Sequence, residues 1–340
     1  MSKSYFISEV AQAHDGSLLM AHSMIESSKN AGFDAVKFQA HFAEHESSEE
    51  EKFRVRLRYL PDRSRYDYWK RMEFDSYQLS ELYSHTKSLG LDYVCSPFSE
   101  YAVEVLEKSG VDVYKIGSGE FFNLPLIELV LKTNKRVFIS TGMSSWEEII
   151  KMSEYLKEFY PIQYNNVVFF HCTTSYPCPV EKIGINNILK LKSIIGAENV
   201  GFSDHSGKGN TIMAGFCAGA SLFEFHSIYS KEIIGFDSSS SITFEESTRL
   251  IQDIRYIELL SSISEDKDTI SRSLSDLKLN FSKSFYLVRD LPQGTVIERS
   301  HLQLKKPGIG ISSDKLELVL GKKLNRSIRS GQILKLDYLE

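Results

Sequence analysis

The chain has 340 residues, a formal net charge of −5, 42% hydrophobic residues and 25% charged ones. This length allows one large core and a small second domain, and the charge is too mild to mark a nucleic-acid partner. No apolar stretch reaches the roughly 18 residues that span a bilayer, and MSKSYFISEV lacks the apolar core of a signal peptide, so a cytoplasmic location with no membrane partner is expected.

Four cysteines, Cys95, Cys172, Cys178 and Cys217, form no CxxC pair and read as reduced, buried thiols. Residues 281–340 carry 11 Lys and Arg against 6 Asp and Glu, so the tail is basic and the body acidic. A solvated small domain and a basic arm for an anionic ligand both fit that asymmetry.

Short β-branched and aromatic runs alternate with segments of helical apolar spacing. The runs are YFISEVA (5–11), AVKFQA (35–40), DYVCSPF (92–98), DVYKIGS (112–118), RVFISTG (136–142), NVVFFHC (166–172), NVGFSDH (199–205) and LFEFHS (222–227). Helices are predicted between them, with Gly32, Gly90 and Gly110 as C-caps. Eight such repeats in about 260 residues match an α/β fold of the (β/α)8 TIM-barrel type. An open doubly wound sheet competes, but no glycine-rich dinucleotide fingerprint follows the first strand. The polar segment EDKDTISRSLSDLKLN shows no strong apolar period, which predicts a barrel over 1–265, a linker over 266–281 and a second domain over 282–340.

The runs end in polar residues: Glu9, Lys37 and Gln39, Ser96, Lys115 and Ser118, Ser140 and Thr141, His171, Ser203 with Asp204 and His205, and His226. In a barrel these ends converge on one rim, where barrel enzymes build their active sites. Lys37 and Lys115, with the hydroxyls of Ser118, Ser140 and Ser203, suit a phosphate and a carboxylate; a rim salt bridge to Glu9 or Glu120 is the competing use of each lysine. His205 and His226 end consecutive strands, about 4.8 Å apart in a sheet, so two imidazoles can share a divalent ion and leave its other positions open. A structural hydrogen bond is the alternative for each histidine. Asp204 is placed to orient them or to shift their titration as a charged neighbour. Glu9 and Glu120 offer carboxylates for proton transfer or for sugar hydroxyls. Tyr176, in SYPCP, offers a face to a sugar ring or to packing.

The segments SEVAQAHDG, DAVKFQ, SPFS, YKIGSGE, STGMSS, HCTTSYP, GFSDHS and FEFH, in this order, resemble the sialic acid synthases, the NeuB-like family. The tail, through SFYLVRDLPQGTVIERSHLQLKKPGIGI, resembles that family's SAF (antifreeze-like, β-clip) domain. The resemblance implies a transferase that condenses phosphoenolpyruvate with N-acetylmannosamine or a related hexosamine. It also implies a divalent metal, manganese first and magnesium or cobalt next, and a domain-swapped homodimer. Carried over, His205 and His226 hold the metal, and Lys37, Lys115, Ser118, Ser140 and Ser203 hold phosphoenolpyruvate. Glu9, Gln39, Tyr176 and Asp237 bind the sugar near Phe98 and Thr174, and Glu120 assists water. Lys306 stands where family members often carry the arginine that reaches the partner's sugar. The 46–74 segment lacks the family's asparagine and offers Tyr66, Tyr68, Trp69, Lys70 and Arg71 instead. The acceptor is therefore open to legionaminate-type, pseudaminate-type or mannose-based sugars. A non-catalytic sugar-binding homologue is the reading from another class.

Overall fold

The computed structural model describes residues 3–196 and 200–340, and the chain divides into two compact units, Met1–Ser262 and Ile263–Glu340. In the first, eight parallel strands follow one another in order: β1 (Tyr5–Glu9), β2 (Ala35–Ala40), β3 (Asp92–Pro97), β4 (Val113–Ile116), β5 (Arg136–Ser140), β6 (Val167–Cys172), β7 (Gly201–Asp204) and β8 (Leu222–Ile228). β1 pairs with β8 as well as β2, from Tyr5 opposite Leu222 to Glu9 opposite His226, so the sheet closes and the open-sheet alternative is excluded. Asn199, in the seventh predicted run, lies outside the described residues. A short ninth strand, Ile242–Thr243, extends the pairing of β8.

Strand alternation decides what enters the barrel. Ile7, Ala35, Val94, Val113, Phe138, Val168, Phe170 and Leu222 form one apolar cluster across the strands. Their neighbours in sequence, such as Phe6, Val36, Val137, Phe169, Phe202 and Phe223, pack into the main core with the surrounding helices. Burying each such side chain contributes roughly 1.5–3 kcal/mol. The Phe170 ring needs Gly201 beside it, because a Cβ there would come within 2.4 Å of the ring.

The helices start and stop where local chemistry dictates. Ser17 caps Leu18–Ala31 by accepting from the Met20 N–H, and Gly32 ends the helix at φ 91°, a left-handed turn that suits glycine. Gly110 likewise ends Glu100–Ser109 at φ 102°. Three cysteines are buried, but Cys217 is exposed, which corrects the expectation for that thiol. Among the described residues no helix is long and apolar enough to cross a membrane.

The second unit opens with two short helices, Lys267–Ser273 and Ser275–Phe281, over the segment read as a polar linker without strong apolar period. Ile270, Leu274, Leu277 and Phe281 recur at spacings of four, three and four, a helical period that the polar composition masked. An antiparallel pair follows, β10 (Ser284–Leu287) with β11 (Leu302–Lys305). Phe285, Leu287, Leu291, Ile297, Leu302, Val319, Leu324 and Leu334 belong to a core separate from that of the barrel.

Candidate active site

Two residues beyond the apolar cluster, the inward positions turn polar. Glu9, Lys37, Lys115, Ser140, Ser203 and Glu224 all line an open cavity of about 490 Å³. The same cavity is lined by Gln39, Phe98, Ser118, Glu120, Thr174, Tyr176, His205, His226 and Asp237, so every barrel residue expected to bind metal or substrate or to move a proton meets there. The strand-end residues Thr141, His171 and Asp204 do not line it; Thr141 Oγ1 donates to the Phe170 carbonyl and His171 Nε2 to that of Ile183. Lys306 belongs to the second unit, where its Nζ lies 4.5 Å from the centroid of the Phe281 ring.

Strand register brings the charged groups together: Glu9 stands opposite Lys37 and His226, and Ser203 opposite Glu224. Lys115 Nζ donates to Glu224 Oε2 at 2.8 Å, and Ser203 Oγ donates to Glu224 Oε1 at 3.0 Å. Lys37 Nζ lies 3.6 Å from Glu224 Oε1 and 2.8 Å from Glu9 Oε2. That last approach is an ion pair by distance, although its angle leaves Glu9 Oε2 outside hydrogen-bond geometry. The lysines thus do form ion pairs, with Glu9 and the unforeseen Glu224. Glu120 accepts from Asn123 Nδ2 instead.

Burial would raise the Glu224 carboxyl, but the ammonium groups of Lys115 and Lys37 hold it at about 2. Burial, reinforced by Lys37 and opposed by Glu224, lowers Lys115. For Lys37 burial acts the same way, but Glu224 and Glu9 prevail and raise it. The result is a buried cluster of charges beside hydroxyls, a setting chemically suited to an anion. Ser118 Oγ accepts from the Gly142 N–H at 3.0 Å, which fixes one of those hydroxyls.

The His205 and His226 rings are 5.5 Å apart, with Tyr176 4.2 Å from the first and 6.0 Å from the second. Burial, then the neighbouring His226, pushes His205 down to about 3, so its ring is neutral. Its Nδ1 donates to the Thr173 carbonyl at 2.9 Å, which leaves Nε2 with a free lone pair. His226 Nδ1 is buried without a hydrogen-bond partner among the described residues, 3.9 Å from Asp237 Oδ2. A fixed neutral imidazole beside an orphaned ring nitrogen fits a shared divalent ion. No cluster of three or more His, Cys, Asp or Glu suited to a metal occurs among the described residues, so the protein would supply few ligands and leave the rest to substrate and water. Asp204 does not orient either ring. Its carboxylate accepts from Ser206 Oγ at 2.7 Å, and burial raises it to about 6.

Of the residues offered by the 46–74 segment, only Trp69 lines this cavity. Tyr68 faces a second cavity of about 260 Å³, Arg71 is held by Asp62 and Asp15, Lys70 pairs with Glu44 and Glu73, and Tyr66 packs beside Trp69. The same segment adds Glu46, Glu51, Lys52, Arg54 and Arg65 to the wall, none of them foreseen. Arg54 lies 4.5 Å above the Tyr176 ring.

The chain matches the NeuB family over residues 24–265 and the SAF domain over 282–340. The chain belongs to the NeuB family. Among characterised relatives, it is 28% identical over 340 residues to the N,N'-diacetyllegionaminic acid synthase of Campylobacter jejuni, covering 98% of this chain and 100% of that one. It is 27% identical over 309 residues to the N-acetylneuraminate-9-phosphate synthase of Homo sapiens, covering 88% and 82%. Among solved structures, the N-acetylneuraminic acid (sialic acid) synthetase of Leptospira borgpetersenii superposes with a TM-score of 0.68 at 23% identity, covering 81% of this chain and 91% of that one, which shows the shared fold. In this NeuB-family chain, Glu224 is the residue that strand-end reading missed. It sits mid-run in LFEFHS, but shares the face of His226 two residues on.

Proposed function

We propose that this NeuB-family protein is a sialic (nonulosonic) acid synthase, which condenses phosphoenolpyruvate with N-acetylmannosamine or a related hexosamine and releases phosphate by C–O cleavage. The observation that carries the reading is one cavity holding both the Lys37–Glu224–Lys115 cluster and the His205–His226 pair. Relatives named as legionaminic acid and N-acetylneuraminate-9-phosphate synthases support the class.

In this reading Lys37 and Lys115, with Ser118, Ser140 and Ser203, receive the phosphate and carboxylate of phosphoenolpyruvate. Glu9, Gln39, Tyr176, Asp237, Phe98 and Thr174 receive the open-chain sugar. His205 and His226 would hold a divalent ion, manganese first, with magnesium or cobalt as alternatives; bound there, it supplies Lewis acidity to the aldehyde oxygen. Fixing both substrates brings C3 of phosphoenolpyruvate onto the aldehyde carbon, and the carboxylates of Glu9 and Glu224 oppose the positive charge that develops at C2. Glu120 takes the proton of the water that adds at C2. The lysine ammonium groups then stabilise the departing phosphate as its C–O bond breaks. Two copies assemble so that Lys306 of one serves the other's cavity, in the cytoplasm.

A second reading keeps this chemistry and changes the sugar to one that leads to legionaminic or pseudaminic acid, or to mannose. Its ground is the 46–74 segment, which lacks the family's asparagine and brings Lys52, Arg54, Arg65 and Trp69 to the cavity wall. Phosphate release with a panel of acceptors separates the two readings. If phosphoenolpyruvate is spared with every sugar, the synthase reading fails and a sugar-binding role without turnover takes its place.

A further inference from the structure

We infer that His41 is a positioning residue, which sets the Gln39 amide and through it the Glu9 carboxylate on the sugar side of the cavity. This rests on the proposed function only in taking Glu9 and Gln39 as sugar contacts.

His41 follows β2 and is 5% exposed. Its ring is stacked between two others, with its centroid 3.9 Å from that of Trp69 at 19° and 4.4 Å from that of Phe98 at 11°. Arg65 lies over Trp69 at 4.0 Å, and Trp69 Nε1 donates to Glu51 Oε2 at 3.1 Å, so the stack is itself held in place.

Within that stack the ring nitrogens meet two oxygens, Glu46 Oε1 at 2.7 Å from Nδ1 and Gln39 Oε1 at 2.9 Å from Nε2. An amide can be turned over without changing its outline, so its orientation must be argued. Gln39 Nε2 donates to Glu9 Oε1 at 2.7 Å, and the reverse orientation would set a carbonyl oxygen against a carboxylate. Gln39 Oε1 therefore faces His41, and it also accepts from Gln12 Nε2 at 2.8 Å. His41 faces an acceptor oxygen at each ring nitrogen, so the hydrogen bonds run outward from it, to Glu46 on one side and through Gln39 to Glu9 on the other.

The consequence falls on Glu9. Its Oε2 is engaged by Lys37, and Gln39 steers its Oε1. Without His41 the Gln39 amide loses one of its three hydrogen bonds and keeps those with Gln12 and Glu9, so its orientation is less restrained. When that amide turns, Glu9 loses the donor that holds its Oε1.

His41→Ala leaves a slot between the Trp69 and Phe98 rings that free imidazole fits. We expect the KM for the acceptor to rise about tenfold or more, the KM for phosphoenolpyruvate to stay within about twofold, and millimolar imidazole to restore the acceptor KM saturably. His41→Phe keeps the stack but neither hydrogen bond; it should show the same defect without rescue, and it carries the test if the alanine variant fails to fold. An unchanged acceptor KM, an equal rise for both substrates, or no rescue by imidazole overturns the inference. If the wild-type protein turns over no acceptor, the synthase reading has failed, and crystal structures of His41→Ala judge this inference alone. Gln39 Nε2 should leave Glu9 Oε1 without imidazole and return with it; a contact that never moves overturns the inference.

Discussion

Glu224 Oε2 lies 2.8 Å from Lys115 Nζ, at a depth where the two side chains are 6% and 2% exposed. The same carboxylate faces Lys37, whose nearer partner is Glu9, so two buried carboxylates balance two buried ammonium groups. Breaking a buried pair by removing one partner costs roughly 3–5 kcal/mol, because the other charge stays desolvated. Glu224→Gln should lower the urea midpoint accordingly and abolish phosphate release. A variant with an unchanged midpoint would mean that water already solvates the lysines.

Acid should destabilise the fold through His14 and Glu224, with His205, held at about 3, adding to the first and Asp204, raised to about 6 from 3.8, opposing it between those two values. His14 is buried against Phe74, and its Nδ1 accepts from the Gly16 N–H. Burial first, then His41 and Arg71, lowers it to about 3. An unfolded histidine takes a proton near 6.5 and the folded one does not, so the unfolded state binds more protons in that window, and stability falls as pH drops from about 6.5 towards 3. Glu224, held at about 2 against an ordinary 4.5, acts in the same direction below 4.5. Urea midpoints at pH 7, 5.5 and 4 should decline, and His14→Gln should make the upper part of the decline shallower. A flat profile would refute the burial argument.

Metal removal should separate activity from folding. EDTA, His205→Ala and His226→Ala should each abolish phosphate release and leave circular dichroism unchanged, since the rings lie beyond the barrel's apolar floor. Manganese should bind the wild type and bind neither variant in calorimetry. Full activity after either substitution would remove the two-histidine site.

Gly142 has no room for a side chain. A Cβ there would come within 2.5 Å of Thr174 Oγ1, 2.6 Å of Cys172 Sγ and 2.8 Å of Ser118 Oγ. Gly142→Ala should cost about 1–3 kcal/mol through overpacking. It should also displace the Thr174 and Ser118 hydroxyls, and so raise the KM for both the sugar and phosphoenolpyruvate. An unchanged KM for phosphoenolpyruvate would detach Ser118 from the anion.

The barrel was legible because its strands announce themselves twice, by β-branched runs and by polar residues where they surface. Lys37, Lys115, Ser203, His205 and His226 were readable on that basis alone. Glu224 was hidden because a lone carboxylate between two phenylalanines resembles an apolar run until alternate residues are read as one face. The wall from 46 to 72 was hidden for another reason. Trp69 was named from the sequence, but Glu46 and Arg65, at the ends of two short helices, and Arg54 between them reach the cavity through the path of the chain, which no periodicity records. The helices at 267–281 were masked by serines and aspartates that conceal a four-three-four apolar spacing.

The apolar plug that Phe138, Phe170 and Leu222 build across the barrel has a kinetic meaning. Lys37 and Lys115 stand two residues beyond that plug on their strands, at the closed end of the cavity. If the proposed condensation holds, a ligand seated at the lysines should have to enter before the sugar and leave after the larger product. Traffic through the cavity should then run last in, first out.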